Sequence, residues 1–327
     1  MIAESVDALA RQPGSPLKPE GATEAVLEIE GLKKAYGRVT AVDDISFAVA
    51  QGETFGILGP NGAGKTTTLE MIEGLRDPDG GRITFLGMDV VKERRRVQQK
   101  IGVQLQSQAL WPELTVEETL KLFASLFHRR VDVGTLLDRF SLTDKRRALV
   151  KGLSGGQKQR LSIATALVND PEVVFLDEPT TGLDPQARHS FWDLIRDMKR
   201  EGKTVIVTTH YMEEAEALCD RVAIMDHGRI IALDAPRALV RSLASESTIE
   251  FGFPETAERE ELAGLPGVRD MRKDNGSVLL FTNDVSATLN ALIRFADEKG
   301  QQISSLNVRT ATLEDVFINL TGRRLRD

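Results

Sequence analysis

The stretch Thr54-Phe55-Gly56-Ile57-Leu58-Gly59-Pro60-Asn61-Gly62-Ala63-Gly64-Lys65-Thr66-Thr67 decides the fold. Thr54–Leu58 is a short, largely apolar run ending at Gly59, as a buried strand entering a tight turn would be. Gly59–Thr66 fits G-x-x-x-x-G-K-[ST], the phosphate-binding loop between a strand and a helix. Glycines let the backbone fold closely enough to aim several N–H groups at phosphate oxygens. The helix that starts near Lys65 adds its positive end. Lys65 places a cation on the β- and γ-oxygens, and Thr66 offers a hydroxyl to Mg²⁺.

A carboxylate pair belongs with this loop. Val173-Val174-Phe175-Leu176-Asp177-Glu178 is an apolar strand that ends in two acids. Asp177 at the strand end suits Mg²⁺, directly or through water. Glu178 is expected to point the other way, by strand alternation, and to polarise an attacking water. Taken alone, such a pair reads as a solvated turn. Beside a phosphate loop it reads as part of a ligand site, because ligands bind at the ends of strands in α/β sheets.

Other strands are expected at Leu27–Glu30, Ile45–Val49, Arg82–Phe85, Ile101–Leu105, Val205–Thr208, Val222–Met225 and Ile230–Leu233. Helices lie between them. Thr115-x-x-Glu118 is a capping box ahead of Leu120, Phe123 and Phe127. Ala187, Phe191, Leu194, Ile195 and Met198 form a stripe at helical spacing. This alternation implies an α/β core with a largely parallel sheet. From about Ser242 the texture changes to strand, helix, two strands, helix, strand. Helices are expected near Thr256–Ala263 and Ser286–Lys299, with a hairpin turn at Asn275-Gly276 and a last helix over Leu313–Leu320. That order is the split βαβ, ferredoxin-like α+β arrangement.

Composition bounds the function. The chain has 327 residues, enough for two domains, and is 41% hydrophobic and 28% charged, which excludes wholesale disorder. Its apolar runs fall far short of the roughly 20 residues that span a bilayer. A lone cysteine, Cys219, allows no internal disulfide and suits a reducing compartment. A net charge of −7 argues against a general nucleic-acid binder. Residues 1–25, with Pro13, Pro16, Pro19 and Gly21, read as a flexible tail and not a signal peptide. The basic stretch Asp89–Lys100 reads as a solvated helix face, with anionic lipid or a membrane partner as the alternative.

Leu153-Ser154-Gly155-Gly156-Gln157 precedes a helical run through Leu161, Ala164 and Leu167. It is a second anion site: Ser154 caps the helix, two glycines bare their N–H groups, and the helix dipole favours phosphate. Taken together, the phosphate loop, the acidic strand end and this pentapeptide closely resemble the nucleotide-binding subunit of ATP-binding cassette (ABC) transporters. The resemblance runs from about Leu27 to Leu239. It implies a P-loop NTPase ABC cassette with a mixed or parallel core sheet, an antiparallel β subdomain and a helical subdomain. The expected domains are a tail at 1–25, an ATPase domain at 26–241 and an accessory domain at 242–327.

The resemblance also assigns roles. Tyr36 would stack on adenine; alone it is equally a surface aromatic. Gly59, Pro60, Asn61, Gly62, Ala63, Gly64, Lys65, Thr66 and Thr67 would hold the phosphates of ATP. Thr66, Asp177 and Gln106 would hold Mg²⁺. Glu178, His210 and Gln106 would be catalytic. Ser154, Gly155, Gly156, Gln157 and Asp184 would meet ATP across a head-to-tail dimer, and Asp184 before Pro185 also suits a helix cap. His128, His189 and His227 match nothing in the motif set.

Within the family, Thr209-His-Tyr-Met-Glu-Glu-Ala-Glu216, Leu313-Glu-Asp-Val-Phe317, Leu320-Thr-Gly and Leu325-Arg-Asp resemble the daunorubicin and multidrug-resistance exporter ATPases. The resemblance implies ATP hydrolysis powering a separately encoded integral membrane permease from the cytoplasmic face of the membrane. No nucleic acid is expected as a partner. The alternative is a soluble cassette ATPase acting on a ribosome or DNA machine. A P-loop small-molecule kinase would leave Leu153–Gln157 unexplained.

Overall fold

The computed structural model describes residues 25–104, 110–243, 247–252, 259–274 and 277–322. Gln106, the tail before Ala25, the Asn275-Gly276 turn, the first residues of the expected Thr256–Ala263 helix and Leu325–Asp327 lie outside them. The chain divides into two units, one running to Ala232 and one from Leu233.

The first unit holds two sheets. The six-stranded sheet has the order β10 (Arg229–Asp234), β9 (Arg221–Asp226), β3 (Thr54–Leu58), β8 (Thr204–Thr209), β7 (Val173–Asp177) and β6 (Ile101–Gln104). From β9 to β6 the strands run parallel. β3, β7 and β8 are buried at every position, and parallel strands covered on both faces carry such near-continuous apolar runs. The antiparallel sheet has the order β2 (Val39–Ala50), β1 (Ala25–Tyr36), β4 (Gly80–Phe85) and β5 (Met88–Asp89). Phe47 of β2 stacks on Phe55 of β3 with ring centroids 5.0 Å apart, tying one sheet to the other.

Register, more than composition, places the site. Leu58 of β3 lies opposite Thr209 of β8, and Asp177 of β7 opposite Thr208 of β8. Gly59, Glu178 and His210 therefore leave the sheet at one end, the carboxyl end where α/β sheets take their ligands. The expected strands of this unit are present, that of Ile101–Leu105 as far as Gln104, with Leu105 outside the described residues. The helix capped by Thr115 runs Val116–Ser125 with both halves of its capping box made, so Phe127 falls beyond its end. The basic stretch Asp89–Lys100 carries the short helix Arg94–Gln98, whereas patterning did not single out the short helices Val133–Arg139, Met212–Leu218 and Pro236–Ser242. They span too few turns for a periodic stripe to stand out. The basic cluster is partly neutralised, with Arg94 paired to Asp77, Arg96 to Glu93 and Lys100 to Glu172.

The second unit contains a four-stranded antiparallel sheet in the order β12 (Val268–Asp274), β13 (Ser277–Thr282), β11 (Ser247–Gly252) and β14 (Ser304–Thr310). With helices Arg259–Ala263 and Val285–Lys299 between its strands, this is the ferredoxin-like order. Ile249, Phe251, Met271, Val278, Leu280 and Leu292 build its main core, while Leu279 and Phe281 pack with Ile318 of the Leu313–Thr321 helix.

Candidate functional site

The loop after β3 is shaped by its glycines. Gly62 and Gly64 have φ of +82° and +101°. A Cβ on Gly64 would lie 2.2 Å from the Ala41 carbonyl oxygen, and one on Gly59 2.3 Å from that of Met225. Only glycine allows the backbone to wrap this tightly. The Lys65–Ile72 helix starts directly after Gly64. The Lys65 ammonium, 4% exposed, donates to the carbonyl oxygens of Gly59 at 2.8 Å and Pro60 at 3.2 Å. It also lies 3.0 Å from Glu178 Oε1.

The two acids at the end of β7 occupy one site and not opposite faces of a strand. The strand ends at Asp177, and Glu178 has φ +45°, in the left-handed region. Strand alternation therefore does not govern Glu178. Such a backbone costs on the order of 1–3 kcal/mol for a residue with a side chain. Its N–H donates to Thr208, to the hydroxyl at 2.9 Å and the carbonyl at 3.2 Å. Thr66 Oγ1 donates to Asp177 Oδ2 at 3.1 Å, and the Thr208 hydroxyl donates to Asp177 Oδ1. Glu178 Oε2 lies 3.3 Å from His210 Nδ1. Thr208 was legible only as a strand residue; its position just before Thr209-His210 was the available signal.

Electrostatics separates the pair. Contact with His210, and then the Lys65 ammonium, outweighs burial and holds Glu178 down at about 2. Asp177 is raised, chiefly by burial. Beneath them Glu73, buried at the end of the phosphate-loop helix, is pushed up to about 8 by burial and by the charges of Asp177 and Glu70.

The remaining predicted residues sit on caps and at strand ends. Ser154 caps the Gly155–Ala166 helix and forms a reciprocal box with Gln157. Gln159, one turn further, donates to the Pro179 carbonyl beside Glu178. Asp184 caps the Pro185–Arg200 helix, with Ala187 N–H donating to it at 2.8 Å. Tyr36 ends β1, 41% exposed, with the Arg76 guanidinium 5.2 Å from its ring centroid. Thr67 lies in the first turn of the phosphate-loop helix.

A glycine-wrapped loop opening onto a helix, a buried lysine, and a hydroxyl–carboxylate pair at the sheet's carboxyl end define a P-loop nucleoside-triphosphatase. The family follows from comparison with known proteins. Residues 42–181 match the ABC transporter model, and residues 238–321 match that of the ATP-binding protein DrrA1-3-like C-terminal domain. A Nod factor export ATP-binding protein I from Paraburkholderia xenovorans is 44% identical over 310 residues, covering 93% of this chain and 99% of that protein. One from Rhizobium sp. is 40% identical, with the same coverages. Among solved structures, an ATP-binding subunit of an ABC transporter aligns with TM-score 0.61 at 29% identity, covering 67% of this chain and 93% of that one. A dimeric post-hydrolysis ATP-binding cassette bound to ADP and phosphate aligns at 0.59 and 26%, covering 64% and 98%.

The chain belongs to the ATP-binding subunits of ABC transporters. It binds ATP and is an ATP hydrolase of that family. These relatives do not favour the ribosome or DNA machine. No helix among the described residues is long and apolar enough to cross a membrane.

Proposed function

We propose that this chain is the ATP-hydrolysing subunit of an exporter, bound at the cytoplasmic face of the membrane to a separately encoded permease. The observation that carries the site assignment is the convergence of Lys65, Thr66, Asp177, Glu178 and His210 at one end of the parallel sheet. Export is taken from the names of the relatives, and the compound exported is a drug, lipid or other hydrophobic molecule.

The roles follow from the chemistry of the side chains. The Gly59–Thr67 backbone and Lys65 bind the phosphates, and Tyr36 stacks on adenine. The Lys65 ammonium exchanges Glu178 for phosphate oxygens, which frees that carboxylate to orient water. His210 holds Glu178 ionised and steers it. The donor set of Thr66 and Asp177, a hydroxyl and a carboxylate 3.1 Å apart, fits a hard divalent cation. With Gln106 they would hold Mg²⁺, which when bound neutralises charge developing on the phosphate oxygens.

Ser154–Gln157 and Asp184 serve the ATP of a second copy in a head-to-tail dimer, whose closing drives the permease. The ATPase domain spans 26–241, and the 242–327 domain is an accessory to it. Purification from host membranes tests the reading. An integral membrane protein should co-purify with the full chain; recovery with ribosomes or DNA instead would overturn it.

A further inference from the structure

His210 touches Glu178, and the structure supplies a frame for His210 that the catalytic set does not include. Tyr211 follows His210, and the two rings lie 4.1 Å apart, centroid to centroid. The guanidinium of Arg188 lies 4.3 Å from the centre of the Tyr211 ring. Arg188 Nε is buried without a hydrogen-bond partner, and the cation meets the face of Tyr211 and the nearby carboxyl of Glu214. One turn along the same helix, the Trp192 indole donates to Glu214 at 3.2 Å, and Glu214 is completely buried. Arg188 and Trp192 are four apart, so they share one face of the Pro185–Arg200 helix. Tyr211 and Glu214 are three apart at the start of the Met212–Leu218 helix. Two struts therefore join the helix capped by Asp184 to the residues just after the histidine. A carboxyl side chain buried this completely, its pKa raised by burial, calls for a purpose.

We propose that Tyr211, held by Arg188, is a positioning residue for ATP hydrolysis: it orients the His210 imidazole that contacts Glu178. The proposal rests on the roles given above to His210 and Glu178. The ring supplies the contact and the hydroxyl does not, so phenylalanine should replace it. The stack also links the segment beginning at Asp184 to the hydrolytic carboxylate through packed side chains. Displacement of that helix would move His210.

Steady-state ATPase kinetics of the full chain test this. Tyr211→Ala should lower kcat about tenfold, the scale on which a displaced catalytic group costs rate, with KM within about twofold. Tyr211→Phe should restore kcat to within about twofold. In a His210→Ala background, Tyr211→Ala should cost nothing further, because a group acting through histidine has nothing left to orient. Arg188→Gln, on the partly exposed side of the stack, should reproduce the loss and answers the question if Tyr211→Ala fails to fold. An equal fold-loss in both backgrounds, or a rise in KM with kcat unchanged, would overturn the proposal. Full activity of His210→Ala itself would instead overturn the catalytic assignment on which it rests.

Discussion

The two units of this chain bury charge for different ends. In the first, Lys65, Asp177 and Glu178 sit nearly inaccessible at the carboxyl end of the parallel sheet, and their partners include one another, threonine hydroxyls, backbone carbonyls and the His210 imidazole. In the second, Asp315 is completely buried, and every partner belongs to the fold. Arg309 reaches it with two guanidinium nitrogens, and the N–H and hydroxyl of Thr312 donate to it at a helix start. The first arrangement is an exchangeable set: phosphate oxygens can replace Glu178 on Lys65, so the ammonium keeps an anionic partner while the carboxylate is released beside His210. The second is a closed set, in which removing one member strands another. Buried charge thus marks chemistry in one unit and architecture in the other. The difference lies in whether a ligand could substitute for a partner.

Glu178→Gln presses hardest on that contrast. It keeps the shape and an acceptor while removing the charge. ATP hydrolysis should fall by a factor of about 10²–10⁴, the usual contribution of a general base, while nucleotide affinity persists through Lys65, Thr66 and Asp177. With ATP, gel filtration should then show a dimer for the variant, and adding Ser154→Arg should abolish it. Wild-type turnover by Glu178→Gln would refute the catalytic role; an inactive variant that stays monomeric with ATP would refute the head-to-tail arrangement alone. The same carboxylate predicts a pH dependence of stability. Its value in the fold is about 2, below the ordinary 4.5. Its contribution is therefore present above the ordinary value and is lost as pH falls from about 5 toward 2. Urea titrations should show a shallower loss of stability through that window in Glu178→Gln than in wild type.

The closed set in the second unit should behave in the opposite way. Asp315→Ala leaves Arg309 and the first turn of the Leu313–Thr321 helix without their carboxylate. Breaking a buried pair costs about 3–5 kcal/mol, and the partial exposure of Arg309 puts this one near the lower figure. Chemical denaturation should show a loss of about 3 kcal/mol in the transition of that unit, with ATP affinity within about twofold of wild type. A stable protein with impaired nucleotide binding would erase the distinction between the units.

How far the sequence spoke depends on what carried each signal. The phosphate loop was legible because glycines, lysine and threonine at fixed spacing have few other uses, and β3 and β7 because continuous apolar runs have one period. The ferredoxin-like order of the second unit was legible from the succession of strand and helix patterns and the Asn275-Gly276 turn signal. The direction of Glu178 was misread, since its left-handed φ is set by the Thr208 bonds and not by its neighbours in the chain. Thr208, Arg188, Tyr211 and Glu214 were invisible as a site because their meeting depends on register and helix packing across tens of residues. The Lys65–Glu178 ion pair was likewise beyond a linear reading: 113 positions separate its partners in the printed sequence.

Tyr36 offers the gentlest test, because it concerns binding at the rim and not charge at the centre. It lies at the end of β1, 41% exposed, where the antiparallel sheet stops. Arg76 and Lys34 approach its ring at 5.2 and 5.8 Å from the centroid, and Arg76 is itself paired with Glu70. Two cations on a ring this exposed hold it in place without covering it, which leaves aromatic surface for a base. Stacking of an aromatic side chain on a base contributes about 1–3 kcal/mol. Tyr36→Ala should therefore weaken ATP binding by about tenfold, within that range, and leave kcat within about twofold. Tyr36→Trp keeps the face and should bind nearly as wild type does. Tyr36→Ala should weaken ATP and ADP by the same factor if the ring reads the base, which both nucleotides share. Direct titration of both nucleotides separates the cases: a loss confined to ATP would mean that the cations around Tyr36, and not its ring, are what the nucleotide meets.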